Sequence, residues 1–286
     1  MSQLIQMRQR LKAVETIRKI THAMQLVSMS THLQFRNRKQ QARLYHDELQ
    51  ALLLTSIFRV PTWTNHILMP SASTKPKTLL ILVGSQKGLC GTFNTGLLND
   101  FDQLLSENNL YHADAIIIGK KMIEHINARR KTLPLNIIAQ HDAFTASTIS
   151  ALITYIIGII EQTQEPYTLV QLYTNHAITF FLQEHRLSTL IPFQQSEEVA
   201  PSQEDEMPYW HQEPNDVLDA LALQYLKASI NNIFVQSLLS EQAARFVSMD
   251  SATRNARSLL DTMRLQYNKL RQAKITKELI ELTSSF

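Results

Sequence analysis

The chain has 286 residues, a formal net charge of +3 and an apolar fraction of 44%, which excludes a disordered protein and allows about two domains with a buried core. Its single cysteine, Cys90, excludes an internal disulfide framework and is typical of a reducing compartment. No apolar run reaches the roughly 20 residues that a membrane-spanning helix needs, so we expect any membrane role to be peripheral.

Helix-breaking residues are confined to the middle of the chain. The glycines lie between Gly84 and Gly158, and the prolines lie between Pro61 and Pro214. Because both ends lack these residues, we expect two long helices around a globular centre. The predicted divisions are an N-terminal coiled-coil helix (residues 1–60), a central α/β domain (77–193), an acidic linker (194–214) and a C-terminal coiled-coil helix (215–286).

The first predicted element is one helix from Ser2 to about Phe58. An isolated helix of mixed composition is marginal in water, so its apolar face is expected to pack against another helix. The apolar residues that recur at helical spacing, allowing one skip, are Leu4, Met7, Leu11, Val14, Ile17, Met24, Val27, Phe35, Ala42, Tyr45, Leu49 and Leu52.

The same helix is strongly basic. Residues Met1–Arg43 contain nine Lys or Arg and a single acid, Glu15. A basic helix of this kind binds either phosphates or an acidic protein partner. The net charge of the whole chain is only +3 and no aromatic residues are interleaved with the bases, so the sequence favours a protein partner over nucleic acid.

Residues 77–193 change to short apolar runs that alternate with helical patterns. This alternation predicts an open, mostly parallel sheet of Rossmann-like outline, with the last two strands as a closing pair. Strands are predicted at Thr78–Val83, Ala113–Ile118, Leu135–Ala139, Tyr167–Tyr173 and Ile178–Leu182, and helices at about Asn94–Leu105, Lys120–Arg130 and Ala146–Ile160.

A glycine-rich turn, Gly84–Gly91, follows the first of these strands. A Walker loop would require a glycine at position 89, where this chain has leucine, and the glycine intervals also fail the dinucleotide-binding fingerprint. The turn is therefore predicted to be a tight strand-to-helix connection. The histidines and Cys90 have no spacing typical of a zinc site, and no nucleophile elbow is present. We expect no catalytic residue, cofactor or metal in this chain. The chain is therefore not expected to be an enzyme by itself.

From Leu187 to Leu226 the chain contains no lysine or arginine, while acids and prolines are frequent. This composition is typical of a solvated linker between the central domain and the C-terminal helix. A docking patch for a small partner subunit is the alternative interpretation.

The last predicted element, Asn215–Phe286, contains no glycine and no proline. Alternating steps of four and three residues separate its apolar positions, which is the heptad spacing of a supercoiled helix. We expect it to form an antiparallel coiled coil with the N-terminal helix. The heptad positions are Ala256, Leu260, Met263, Tyr267 and Leu270.

Several strings in the chain resemble the gamma subunit of the rotary (F-type) ATP synthase. The C-terminal ones are Ser240–Met249, Ala252-Thr253, Asn255-Ala256, Tyr267–Ala273 and Ile275–Glu278. Ile17–Met24 resembles the opening helix of that family, Gly88–Gly91 with Asn94 resembles its central loop, and Trp210–Pro214 resembles the segment before its second long helix. His22 stands where the family usually has lysine, which allows a divergent second copy of the synthase.

The resemblance implies a central rotor shaft that couples ion flow through a membrane ring to ATP synthesis or hydrolysis in a catalytic head. The implied partners are the alpha and beta subunits of the head, the epsilon subunit and the membrane c-ring. The resemblance also implies that this chain is a non-catalytic subunit. The coupling ion, proton or sodium, stays open. No cysteine pair of the redox-regulated plant type is present, so we expect a peripheral location on the cytoplasmic face of a bacterial inner membrane.

The resemblance also assigns expected contacts with the catalytic subunits. Arg271, Gln272 and Thr276 match the family residues that meet the catch loops of those subunits, and Met24 matches one that lies against their acidic lever segment. Three bases, Lys19, Arg18 and Lys87, are expected to add electrostatic attraction to that lever. The plainer interpretations are a helix-packing role for Met24 and a solvated helix face for Arg271 and Gln272. A stand-alone coiled-coil scaffold or adaptor with an α/β head is the alternative function.

Overall fold

In the computed structural model the described residues are 2–70, 77–107, 110, 113–129, 133, 135–162, 166–193 and 213–284. The chain divides into two compact units. One unit contains Met1–Thr31 and Arg245–Phe286, and the other contains His32–Ala244. The predicted acidic linker 194–214 lies outside the described residues except for its last two.

Two long helices form the ends of the chain. Helix α1 runs from Ser2 to Arg59 and helix α6 from Pro214 to Ser284, as the distribution of glycine and proline predicts. Pro214 is the first residue of α6, a position at which its missing N–H leaves no intrahelical hydrogen bond unmade. Asp216 lies in the first turn of α6, where its negative charge interacts favourably with the positive end of the helix dipole.

In the first unit the two helices pack antiparallel. The Gln25 side chain reaches Asp250 and the Thr21 side chain reaches Thr253, so residue numbers fall in α1 as they rise in α6. This confirms the predicted antiparallel pairing. On α6, the predicted heptad positions Ala256, Leu260 and Met263 are buried, Tyr267 is half-buried and Leu270 is exposed.

The packed face of α1 in this unit differs in part from the predicted one. One series of half-buried and buried positions alternates by three and four and includes polar side chains: Leu4, Met7, Leu11, Val14, Arg18, Thr21, Gln25 and Ser28. The other half-buried positions are Glu15, Met24, Met29 and Thr31. The prediction was wrong for Ile17 and Val27, which are 53% and 65% exposed. A seven-residue repeat keeps one helix face against the partner, and these two side chains project beside that face. In the second unit Tyr45 and Leu52 are exposed for the same reason.

The second unit is built on a five-stranded sheet with the order β3-β2-β1-β4-β5. The pairs β1–β2, β1–β4 and β2–β3 are parallel and the pair β4–β5 is antiparallel, so the predicted mostly parallel sheet is confirmed. The strands are β1 Thr78–Val83, β2 Asp114–Ile118, β3 Asn136–His141, β4 Leu169–Ala177 and β5 Gln183–Ile191. The helices between them are α2 Phe93–Asn99, α3 Phe101–Glu107, α4 Lys120–Arg129 and α5 Ile149–Gln162.

The predicted strand Ile178–Leu182 is instead the turn between β4 and β5. The Thr179 hydroxyl accepts hydrogen bonds from the backbone N–H groups of Phe181 and Leu182, which reverses the chain there. The apolar composition of this turn imitates a buried strand. The true closing strand, β5, begins with four polar residues, and its first positions alternate between half-buried and exposed because it is an edge strand with a solvent-facing side.

Apolar layers cover both faces of the sheet. Alternate residues of β1 point to opposite faces, with Leu79 and Ile81 in one cluster and Leu80 and Leu82 in the other. The first cluster includes α5 and the parts of α1 and α6 that belong to this unit, and the second includes α2, α3 and α4. Strand β1 is therefore at the centre of the domain. The loop at its carboxyl end begins from a strand that is packed on both faces.

Candidate functional site

The loop after β1 is held rigidly by its own side chains. The Asn94 amide accepts a hydrogen bond from the Ser85 N–H at 3.2 Å and donates to the Ser85 hydroxyl at 2.8 Å. The Ser85 hydroxyl in turn donates to the Lys87 carbonyl at 2.9 Å. Leu89 has a positive φ of 64° and an exposed side chain, beside the buried Cys90. The loop therefore presents Lys87 and Leu89 outward from a fixed framework.

Two glycines allow this loop to approach the end of β2. Gly119 has a φ of +94°, and a Cβ there would lie 2.3 Å from the Gly84 carbonyl oxygen. The Gly84 N–H already donates to the Ile118 carbonyl at 2.9 Å, and the Ser85 N–H is used by Asn94. These two N–H groups are committed within the protein and are not available to a bound phosphate.

His185 joins helix α2 to the β4–β5 pair. Its Nδ1 is hydrogen-bonded to the Asn175 amide oxygen, and its Nε2 lies 3.7 Å from an Asp100 carboxylate oxygen. Gly96 gives the ring its space, since a Cβ there would lie 2.6 Å from Nε2. The Asn175 amide also donates to the Phe93 carbonyl at 3.0 Å. No sequence pattern predicts this group, because its members are distant in the chain. Its contacts hold α2 against the sheet.

Met24 lies at the edge of an exposed apolar stripe on α1. Ile17, Ile20 and Val27 are exposed and share a helix face with the half-buried Met24. Lys19 is exposed and forms an ion pair with Glu15, with 3.6 Å between the charged atoms. Ile17 and Val27 were predicted to lie on the packed face of α1. The polar residues at the strict heptad positions are the signal that could have corrected this.

A polar layer holds the two helices of the first unit in register. The Gln25 amide donates to one Asp250 oxygen at 2.9 Å, and Arg254 contacts the other Asp250 oxygen at 2.9 Å. One turn away, the Thr253 hydroxyl donates to the Thr21 hydroxyl at 2.9 Å. Such partly buried polar pairs favour one alignment of a coiled coil, because a shift would exchange these hydrogen bonds for less well-placed ones.

The last part of α6 is almost entirely exposed. Arg271, Gln272 and Thr276 all face solvent, and the Thr276 hydroxyl donates to the Gln272 carbonyl at 3.1 Å. Exposed apolar side chains surround them, namely Leu265, Leu270, Ile275, Leu279, Ile280 and Leu282. An exposed apolar surface of this extent is typical of a protein interface.

The structure places the predicted contact residues in three groups. Arg271, Gln272 and Thr276 share one segment of α6, while Lys19 and Met24 share one segment of α1. Because Gln25 is level with Asp250, the first group lies about 30 Å along the coiled coil from the second. Lys87 belongs to the second unit, and Arg18 lies half-buried on the packed face of α1.

The described residues offer no metal site or membrane span. Within these ranges no group of three or more Cys, His, Asp or Glu side chains is arranged to hold a metal ion. Of the helices that the structure describes, none combines the length and hydropathy needed to cross a bilayer.

Known proteins match nearly the whole chain. The family model described as ATP synthase matches residues 3–286. A relative from Polynucleobacter necessarius, described as ATP synthase gamma chain, is 31% identical over 289 residues, covering 97% of this chain and 96% of that protein.

Solved structures share the fold at low sequence identity. A chain of the Euglena gracilis mitochondrial ATP synthase, in the structure of OSCP, F1 and c-ring in rotational state 3, has a TM-score of 0.65 and 14% identity, covering 99% of this chain and 93% of that chain. A chain in the structure of the rotor of the same synthase in rotational state 1 has a TM-score of 0.61 and 14% identity, covering 96% of this chain and 99% of that chain. Since the sequence matches extend over almost every residue, the chain belongs to the family of ATP synthase gamma chains.

Proposed function

We propose that this chain is the central rotor shaft of a rotary ATP synthase and couples ion flow through a membrane ring to ATP synthesis or hydrolysis. The observation that carries the proposal is the antiparallel pairing of α1 with α6, together with the exposed end of α6, where six large apolar side chains between Leu265 and Leu282 face solvent. An apolar surface turns inside a protein sleeve without breaking fixed polar bonds. The family membership supports the same conclusion.

In this proposal the chain is a non-catalytic subunit and the nucleotide chemistry takes place in its neighbours. Rotation of the shaft presents different side chains to each catalytic subunit, and the difference in contact free energy biases that subunit toward one conformation. Arg271, Gln272 and Thr276 contact the catch loops. Met24 and Lys19 on α1, with Lys87 on the loop after β1, contact the acidic lever segments.

The proposed partners are the alpha and beta subunits of the catalytic head, the epsilon subunit and the membrane c-ring. The proposed location is peripheral, on the cytoplasmic face of a bacterial inner membrane. Residues 1–60 and 215–286 form the shaft in this account, 77–193 form the α/β domain beside the epsilon subunit and the c-ring, and 194–214 link the two.

A native pull-down tests the proposal. The tagged full-length chain is purified from detergent-solubilised membranes, and the proteins that accompany it are identified by mass spectrometry. We expect two kinds of nucleotide-binding subunit in molar excess over this chain, together with a magnesium-dependent ATPase activity. Recovery of the chain alone, or with unrelated proteins, would instead support the scaffold or adaptor function.

A further inference from the structure

The turn between β4 and β5 carries an exposed apolar surface that the proposed contacts do not use. Ile178, Phe181 and Leu182 project from this turn, and Phe181 is 75% exposed. Together we call these three side chains the hairpin tip. Large apolar side chains grouped at one exposed turn are typical of interaction sites rather than of ordinary surface.

The hairpin tip is ordered by its own hydrogen bonds. The Ile178 and Thr179 N–H groups both donate to the Leu182 carbonyl, at 3.1 and 3.2 Å. The Phe180 ring packs edge-on against His32 of α1 at 4.9 Å between centroids, and against Phe181 at 5.1 Å. A partner would therefore meet a surface that needs little further ordering, which favours binding.

Basic side chains lie next to the hairpin tip. Arg36 and Lys39 follow His32 on α1 at helical spacing, and Arg186 lies on β5 beyond the turn. Burial, followed by the charges of Arg36 and Lys39, lowers the pKa of His32. Burial lowers the pKa of His176 as well; the charges of Arg186 and Lys39 act in the same direction and that of Glu184 opposes them. The charges of these bases therefore reach one side chain on α1 and one on β4, on either side of the hairpin tip.

The positive charge of Arg36 and Lys39 is not neutralised within the described part of the chain. Neither has an ion-pair partner there, whereas Arg43 on the same helix pairs with Asp47 at 3.4 Å. Burial, and then the charge of Arg43, lowers the pKa of Lys39, so this ammonium group is both partly desolvated and repelled. A carboxylate brought by a partner would stabilise the charged form of Lys39 against both effects.

We propose that the hairpin tip and the adjacent bases Arg36 and Lys39 form a docking surface for an acidic, partly apolar segment of a neighbouring protein subunit. The inference deepens the proposed function, because the partner is a subunit of the same complex. A protein segment fits better than a lipid surface, since three apolar side chains are a small anchor for a membrane interface. The partly buried Lys39 is also better reached by a protruding side chain than by a plane of headgroups.

Photocrosslinking in the intact complex tests this docking surface. The photoreactive residue benzoylphenylalanine replaces Phe181 in the full-length chain, and the complex is irradiated and purified from membranes. A second chain carries the same residue at Ile138, a less exposed apolar position on the opposite edge strand β3. We expect position 181 to crosslink to a peptide of another subunit that contains several Asp or Glu residues, and position 138 not to crosslink to it.

Charge variants show whether the bases take part. Arg36→Gln/Lys39→Gln is expected to reduce the crosslink yield per assembled complex at least threefold, and Arg36→Glu/Lys39→Glu at least tenfold. The control Lys120→Glu/Lys121→Glu, on α4, is expected to leave the yield unchanged. A crosslink to lipid, to a peptide without acids, or to no other molecule would overturn the docking surface. Co-purified subunits and ATPase activity in the same sample report on the proposed function separately.

Discussion

At the scale of single residues, the clearest requirement is for glycine at positions where neighbouring backbone leaves no space for a side chain. Gly119→Ala would place a methyl group 2.3 Å from the Gly84 carbonyl and force an unfavourable positive φ. We expect a loss of roughly 2–4 kcal/mol in the free energy of unfolding. Gly158→Ala, in helix α5 with no heavy atom within 4 Å, is the matched control. It should be neutral or stabilise by up to about 1 kcal/mol, measured by denaturant unfolding.

The exposed residues of α6 are expected to matter to the complex and not to the isolated chain. Arg271→Ala/Gln272→Ala removes two solvent-facing side chains, so the change in unfolding free energy should stay within about 0.5 kcal/mol. Coupled ATPase activity or assembly should fall several-fold, because the contacts with the catalytic subunits are lost. The control Lys120→Ala/Gln162→Ala changes an exposed base and an exposed glutamine elsewhere. Equal activity in both variants would remove these residues from the contact surface.

Two partly buried histidines make the second unit sensitive to acid. The pKa values of His32 and His176 are lowered in the folded chain, mainly by burial. Below the ordinary histidine pKa of 6.5 the unfolded chain therefore binds more protons than the folded chain. The free energy of unfolding should therefore be highest above pH 6.5. It should fall as the pH drops below 6.5 toward the lowered pKa values of the folded chain. His176→Gln should flatten this decline in the denaturation midpoint, measured as a function of pH.

At the scale of elements, helix breakers and periodicity were enough to predict both long helices and the sheet. Strand β1 was predicted with its observed bounds because five buried apolar residues follow Thr78 without a break. The second strand of the closing pair was placed wrongly, because the turn before it is apolar and the edge strand β5 is half-polar. The packed face of α1 was mistaken where polar residues such as Gln25 occupy it, since their partner Asp250 is 225 residues away.

The coiled coil gives a direct test of which face of α6 is packed. Leu260→Ala removes a buried side chain, and we expect a loss of roughly 2–5 kcal/mol in the stability of this unit. Leu259→Ala, at an exposed neighbouring position of the same helix, should change it by less than about 1 kcal/mol. Hydrogen exchange of the α6 amides near these residues measures both variants. Similar exchange in the two would contradict the observed packing.

At the scale of the whole molecule, the family could be predicted from the sequence because its motifs lie at both ends of the chain. Tyr267–Ala273 and Ile17–Met24 are specific strings in the expected order, and the family match extends over residues 3–286. The contact residues could be predicted only by resemblance, since their role depends on partner subunits. Exposure of Arg271, Gln272 and Thr276 agrees with a partner-facing role and equally with a solvated face.

The central claim, that this chain turns relative to the catalytic subunits, is tested most directly by observing rotation. The assembled complex is immobilised through its catalytic subunits, and a bead is attached to a cysteine introduced by Lys120→Cys on the exposed surface of α4. Cys90 is buried and should not compete for the label. Addition of ATP should turn the bead in one direction at a rate that follows hydrolysis. A bead that stays fixed while the same complexes hydrolyse ATP would contradict the rotor function.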